Sequence, residues 1–372
     1  MTRQKARDPQ FDNIKAVLII LTVFCHTMEL YKSDYLLSGF FYTFVYSFHM
    51  PAFVFISGYF SKNAERSRRN AFSSLLFPFL IFHFGWYLVT LAGFAIQEAF
   101  HTGWGIIPES PLAPSWAMWY LFCLFFWRCS IRLFSRLRAS FLISLAVAAG
   151  LCAGCFPEIG MVLALSRFLV YTPFFLMGYF CTEKHIARFR AIPAVLYPVI
   201  ICFVLALSWI FAGQQTVPIA FLYGDHAYAY FALGPAAGIL FRSCWYFSAC
   251  ALIPCLFRII PNRQLPFAKI GSGTLCIYLL HPYLLWVCNI PLLFLSGECI
   301  SLIFSLLSTI LILTLLTRPA AGLLYQRIIA RACSILSRRL FQPLLKETPQ
   351  KCLPAPFLQK KSAKSKIYTT KA

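Results

Sequence analysis

The feature that most restricts this chain is a succession of apolar runs too long to be core helices. Asn70–Gln97, Ala139–Pro157 and Ile270–Gly297 each pass without one Asp, Glu, Lys or Arg. About 20 such residues, coiled as helix, cross roughly 30 Å of hydrocarbon. Apolar residues make up 60% of the chain and charged residues 12%, about half the charged share of a soluble domain. The solvent for such a surface is lipid, and in lipid only helices or closed barrels satisfy their backbone. Runs of this length predict an all-α, polytopic membrane bundle. We expect about ten transmembrane helices, near 14–31, 38–60, 71–96, 115–134, 139–156, 161–181, 192–212, 230–257, 271–291 and 299–318.

The formal net charge of +21 invites a nucleic-acid reading, but the cations sit between the apolar runs. Arg3/Lys5/Arg7, Lys62/Arg66/Arg68/Arg69, Arg128/Arg132/Arg136/Arg138, Lys184/Arg188/Arg190 and Arg258/Arg263/Lys269 fall on one side, as does everything basic from Arg318 on. The opposite loops carry one basic residue, Lys32. By the positive-inside rule both termini are cytoplasmic and the span count is even; no nucleic-acid partner is expected. The first apolar run lacks a small-residue cleavage site and is expected to remain as an anchor. Two segments are expected: a transmembrane domain over 1–330 and a basic tail over 331–372, disordered beyond Leu345. The fifteen cysteines have no metal-ligand spacing, and Cys152-Ala153-Gly154-Cys155 lies in an apolar run rather than at a βα junction, so no metal is expected.

Function is sought in the polar residues left inside the runs, where each is costly. His26 and Glu29 are three apart at the end of the first run and so share a helix face, where a carboxylate can orient an imidazole. Counting from the predicted cytoplasmic ends at about 1.5 Å per residue, His26, His49, His83, His281, Arg167 and Arg242 lie about 15–22 Å deep. One layer of ionisable groups suggests a water-accessible chamber. Each has a plainer account: His83 as a bonded core histidine, Arg242 as a snorkelling or paired cation, Arg66, Arg68 and Arg69 as ordinary topology signals. Pro51 breaks the helix ladder beside His49. Arg forks also suit phosphate oxygens.

Several of these residues recur in motif order. Arg7-x-x-x-Phe11-Asp12-Asn13-x-Lys15 runs into a helix reaching His26. Phe48-His49-Met50-Pro51 precedes Ile56-Ser57-Gly58-Tyr59-Phe60, and a basic stretch through Arg69 leads to Phe77-Pro78. Trp119-Tyr120-Leu121, Arg167 with Tyr171-x-Pro173-Phe174-Phe175-x-x-Gly178-Tyr179, and Gly271-x-x-Thr274-Leu275-x-Ile277-Tyr278-Leu279-Leu280-His281 follow. From about 7 to 320 the chain resembles the acyltransferase-3 family of membrane O-acyltransferases, most closely the fucose 4-O-acetylase-like branch. The resemblance implies transfer of acetyl from acetyl-CoA to a carbohydrate hydroxyl, on a polysaccharide or lipid-linked glycan, in the inner cell membrane. It places catalysis on His26 and CoA contacts on Arg68 and Arg69, with Arg66 beside them. To these we add Glu29 as orienter, His49, Arg167 or a Tyr hydroxyl as oxyanion donor, and Asp12 and Lys15 framing the nucleotide end of CoA. Competing readings are a transporter or flippase for a sugar or anionic substrate, and a non-catalytic assembly subunit.

Overall fold

In a computed structural model, residues 8–101, 110–114, 117–214 and 217–339 are described. The Arg3/Lys5/Arg7 cluster and the tail beyond 339 lie outside them. Every regular element among the described residues is helical, so the fold is an all-α membrane bundle. The chain divides into two compact units, Met1–Tyr325 and Gln326–Ala372; the described part of the second is the end of a helix that starts at Pro319.

A helix lies in each of the ten expected stretches. They are α1 (Pro9–Thr27), α2 with α3 (Leu36–Tyr46, His49–Tyr59), α4 running through a π turn into α5 (Ala64–Ala71, Phe72–Leu76, Phe77–Phe100), α6 (Trp119–Phe134) and α7 (Ala139–Cys152). After them come α8 (Leu165–Phe180), the short α9 (Glu183–Arg190), α10 (Leu196–Gln214), α11 (Pro235–Ile259), α12 (Ala268–Ser272), α13 (Thr274–Cys288), α14 (Glu298–Leu316) and α15 (Pro319–Arg339). Six helical stretches are long and apolar enough to cross a membrane, and Ala139–Cys155 and Thr274–Cys288 are shorter apolar helices.

Helix α1 starts five residues before its expected span, and the cause is local. Asp8 caps it by accepting from the Gln10 amide at 3.0 Å, and Pro9 takes the first turn, where its missing N–H costs nothing. The polar residues this draws into the helix find partners at the end of α11 and in the segment after it. Gln10 donates to the Phe257 and Ile260 carbonyls at 2.8 and 2.5 Å, and Asn13 to those of Pro261 and Arg263 at 3.0 and 2.7 Å. Helix α12 seats directly on this turn. A Cβ on Gly271 would stand 1.7 Å from the Asp12 carbonyl oxygen, so only glycine lets the two backbones meet.

The most extensive helix contact joins α3 to α8. A Cβ on Gly58 would lie 2.1 Å from the Phe175 carbonyl oxygen, and one on Gly178 1.9 Å from that of Phe55. Without a hydrophobic drive between helices in lipid, such small-residue crossings gain their stability from close dispersion contact. The crossing fixes α3, and with it His49, against the helix that carries Arg167.

Candidate active site

Three histidines from three helices meet around α1. The His26 ring stacks on His281 of α13 with centroids 5.5 Å apart and 26° between planes. Tyr46, at the end of α2, stands edge-on to two of the three, 6.4 Å from His26 and 4.5 Å from His49. His281 is fully buried, and His26 retains 7% of its surface.

Prolines shape two of these positions. His49 opens α3 two residues before Pro51, and its Nδ1 lies 2.9 Å from the Val45 carbonyl; His281 precedes Pro282 in α13, with Nδ1 3.0 Å from the Ile277 carbonyl. A carbonyl only accepts, so Nδ1 carries the proton in both rings and Nε2 holds the lone pair of the neutral form.

Beyond the end of α1 lies a polar cluster. Because α1 stops at Thr27, Glu29 falls in the following turn and not on the helical face of His26, as the spacing had suggested. Its Oε2 accepts from the Tyr42 hydroxyl at 2.5 Å and its Oε1 from Tyr223 at 3.0 Å. Lys32 forms a salt bridge to the same Oε1 and lies over the Tyr42 and Tyr223 rings at 5.3 and 5.8 Å. Tyr42 stacks face to face on Tyr46, 4.1 Å away, so one aromatic ring separates this cluster from the histidines.

Arg167 enters from α8. It pairs with Asp225 at 2.6 Å and donates from Nε to the Tyr223 carbonyl at 3.2 Å, while its guanidinium lies 5.3 Å from the Trp119 ring. Asp225 in turn accepts from His226 Nδ1 at 2.7 Å. Burial pushes the Asp225 carboxyl upward, but Arg167 and then His226 outweigh it and hold the group below its ordinary range. In this arrangement Arg167 fixes the connector that carries Tyr223.

A cavity of about 220 Å³ runs between α1, α3, α6 and α13. Lys15 and Arg128 are its cationic lining, Thr22, Ser57 and Tyr120 are among its hydroxyls, and Ile19, Phe53, Ile56 and Leu121 form part of its apolar wall. Three lining positions point to the histidines by sequence: Thr22 is one turn from His26, Met50 adjoins His49, and Tyr278 is one turn from His281. Lys15 also pairs with Asp12 at 2.8 Å. Arg128, within a cluster read only as a topology signal, is the cation sequence reasoning missed; its Nε donates to Ser61 at 3.2 Å.

Of the expected phosphate arginines, Arg66 and Arg69 are exposed on α4, and Arg68 is half-buried. Helix α4 packs on α6, which carries Arg128, and Arg68 Nη1 is buried with no hydrogen-bond partner among the described residues. His83 does not join the histidine group in any described contact; its Nε2 lies 2.9 Å from the Pro111 carbonyl and its ring stacks on Phe79. Among the described residues Arg242 neither snorkels nor pairs with a carboxylate. It is fully buried beneath the Tyr228 and Phe221 rings and donates to the Gly150 carbonyl at 3.3 Å.

Comparison with known families decides the class. The model of the acyltransferase domain family matches residues 8–318, a stretch holding every group described above. The chain belongs to the acyltransferase-3 family. It is therefore an acyltransferase, and a multi-pass membrane one, which sets aside the transporter and assembly-subunit readings. Searches against curated proteins and against solved structures return no match. The acyltransferase-3 match begins at Asp8, the residue that caps α1, and ends at Arg318, just past α14.

Proposed function

We propose that this acyltransferase moves an acetyl group from acetyl-CoA to a carbohydrate hydroxyl, with His26 as general base. The acceptor is a polysaccharide or lipid-linked sugar handled at the inner cell membrane, with both termini on the cytoplasmic side of a ten-span bundle. The observation that carries this reading is the cavity, which has cations at Lys15 and Arg128 and lining residues one turn or less from His26, His49 and His281.

The shape and chemistry suit a thioester on a thin flexible arm. Apolar walls accept the arm's methylenes and scattered hydroxyls its amides, while Lys15, Arg128 and Arg68 offer charge-assisted contacts to phosphate. Asp12 tempers Lys15 at the same end, and Arg66 and Arg69 add positive potential on the adjoining α4.

A sugar hydroxyl attacks poorly because its pKa lies far above neutrality. A neutral imidazole accepts its proton as the new C–O bond forms to the thioester carbonyl carbon. The C–S bond then breaks, the CoA thiolate leaves, and the proton held by His26 returns to that sulfur. Atoms and charge balance without a further reactant. A tyrosine hydroxyl, or His49 in its imidazolium form, which alone carries an Nε2–H, stabilises charge developing on the carbonyl oxygen, and Arg167, already paired, contributes by holding its connector.

Purified protein in nanodiscs with acetyl-labelled CoA tests the proposal. His26→Ala is expected to abolish transfer while acetyl-CoA binding by calorimetry persists. Lys15→Ala, Arg128→Ala, Arg68→Ala and Arg69→Ala are expected to raise the acetyl-CoA KM, each by about tenfold for one lost charge-assisted contact. If His26→Ala and the cationic changes shift KM alike, the division between a donor-binding end and a reacting end is wrong.

A further inference from the structure

The residues past the end of α1 form an arrangement that the acetyl-transfer chemistry leaves unused. Glu29, Tyr42, Tyr223 and Lys32 belong to three separate segments, yet their polar ends converge on one carboxylate. Ion pairs set by topology alone do not recruit two tyrosines 181 residues apart whose hydroxyls also meet each other, here at 2.9 Å. A carboxylate has about four acceptor positions. Lys32 and Tyr223 take two on Oε1, and Tyr42 takes one on Oε2.

The cluster is open to ligand. The Glu29 side chain keeps 25% of its surface and Lys32 keeps 15%, and Tyr223 is half-buried, whereas Tyr42 beneath them is fully buried. It is also near the reacting groups without being among them. Tyr46 bridges the two, stacked on Tyr42 at 4.1 Å and edge-on to His26 at 6.4 Å, and the Glu29 amide bonds the His26 carbonyl at 3.4 Å. Finally, it is held from behind: Arg167, locked by Asp225, bonds the backbone of Tyr223.

A carboxylate beside aromatic faces and an ammonium group is suited to a polyhydroxylated ring. The carboxylate accepts from hydroxyls, the ammonium donates to their oxygens, and the aromatic faces cover the ring's C–H surface. Resting on the acetyltransferase reading above, we infer that Glu29, Tyr42, Tyr223 and Lys32 form the acceptor subsite. They grip one hydroxyl-bearing edge of a sugar and thereby decide which of its other hydroxyls reaches His26.

The test uses the full chain in nanodiscs, acetyl-CoA and a panel of methyl hexopyranosides, with the acetylated position read by NMR. Tyr223→Phe and Glu29→Gln are expected to raise the KM for the best glycoside about tenfold, the value of one charge-assisted hydrogen bond. The acetyl-CoA KM should not change, and the acetyl group should spread to further hydroxyls of the same ring. Tyr42→Phe, which keeps the buried ring, guards against loss by misfolding and should act in the same direction. Unchanged glycoside KM and unchanged position in all three variants, with wild-type transfer intact, overturns the subsite and leaves the acetyltransferase reading standing. No acetylated glycoside from the wild-type protein instead removes that reading, and the subsite with it.

Discussion

Breaking the ion pair between Arg167 and Asp225 offers the sharpest check on how the connector is held. The two side chains keep only 10% and 5% of their surface, and the pair is 2.6 Å long. Removing one partner from a pair this buried strands the other charge and costs about 3–5 kcal/mol. Arg167→Met also forfeits the cation–π contact to Trp119, worth about 0.5–1 kcal/mol more. At a few degrees per kcal/mol, each of Arg167→Met and Asp225→Leu should lower the unfolding midpoint by roughly 6–12 °C. The double variant replaces both charges with apolar groups and should recover to within about 1–2 kcal/mol of wild type. The assay is tryptophan fluorescence on heating in nanodiscs, at one scan rate for all four proteins because unfolding of such chains is seldom reversible. If the double variant loses the sum of the two single losses, the pair is not coupled and Arg167 does not hold the connector.

Acid provides an independent view of the same carboxylate. Asp225 is held below its ordinary range, so its contribution is complete above the unfolded value near 3.9 and is lost as pH falls through the folded one. The wild-type midpoint should therefore show a fall below about pH 4 that Asp225→Asn lacks; identical acid profiles would contradict it. At the crossing of α3 and α8, Gly178→Ala puts a methyl 1.9 Å from the Phe55 carbonyl oxygen. The helices must part, at a cost of about 1–3 kcal/mol or more, so a midpoint equal to wild type would show that the crossing has slack.

The sequence made the architecture legible because lipid imposes a simple rule: long charge-free runs must be helices. It also exposed His26 and His49, one as a polar residue in a short apolar run and the other beside a proline. The pairings of the site were not readable. Glu29 meets Tyr42 and Tyr223 across 13 and 194 positions, and Arg167 meets Asp225 across 58; no local spacing encodes such contacts. Two signals were present nonetheless. Asp8-Pro9 is a cap followed by a first-turn proline, which predicts the early start of α1. Asp225 is one of only 12 acidic residues in the chain, and one set in a connector between apolar helices needs a partner. Arg128 was hidden for the opposite reason, as one cation among several.

The bonds from the His49 and His281 rings to the carbonyls of Val45 and Ile277 carry a consequence for proton traffic. Each imidazole is tethered like a door on a single hinge, with the hinge side spent on its own helix. Any hydrogen ion that boards such a ring must depart through the same nitrogen by which it arrived. A two-ended relay through either of them is thereby closed off.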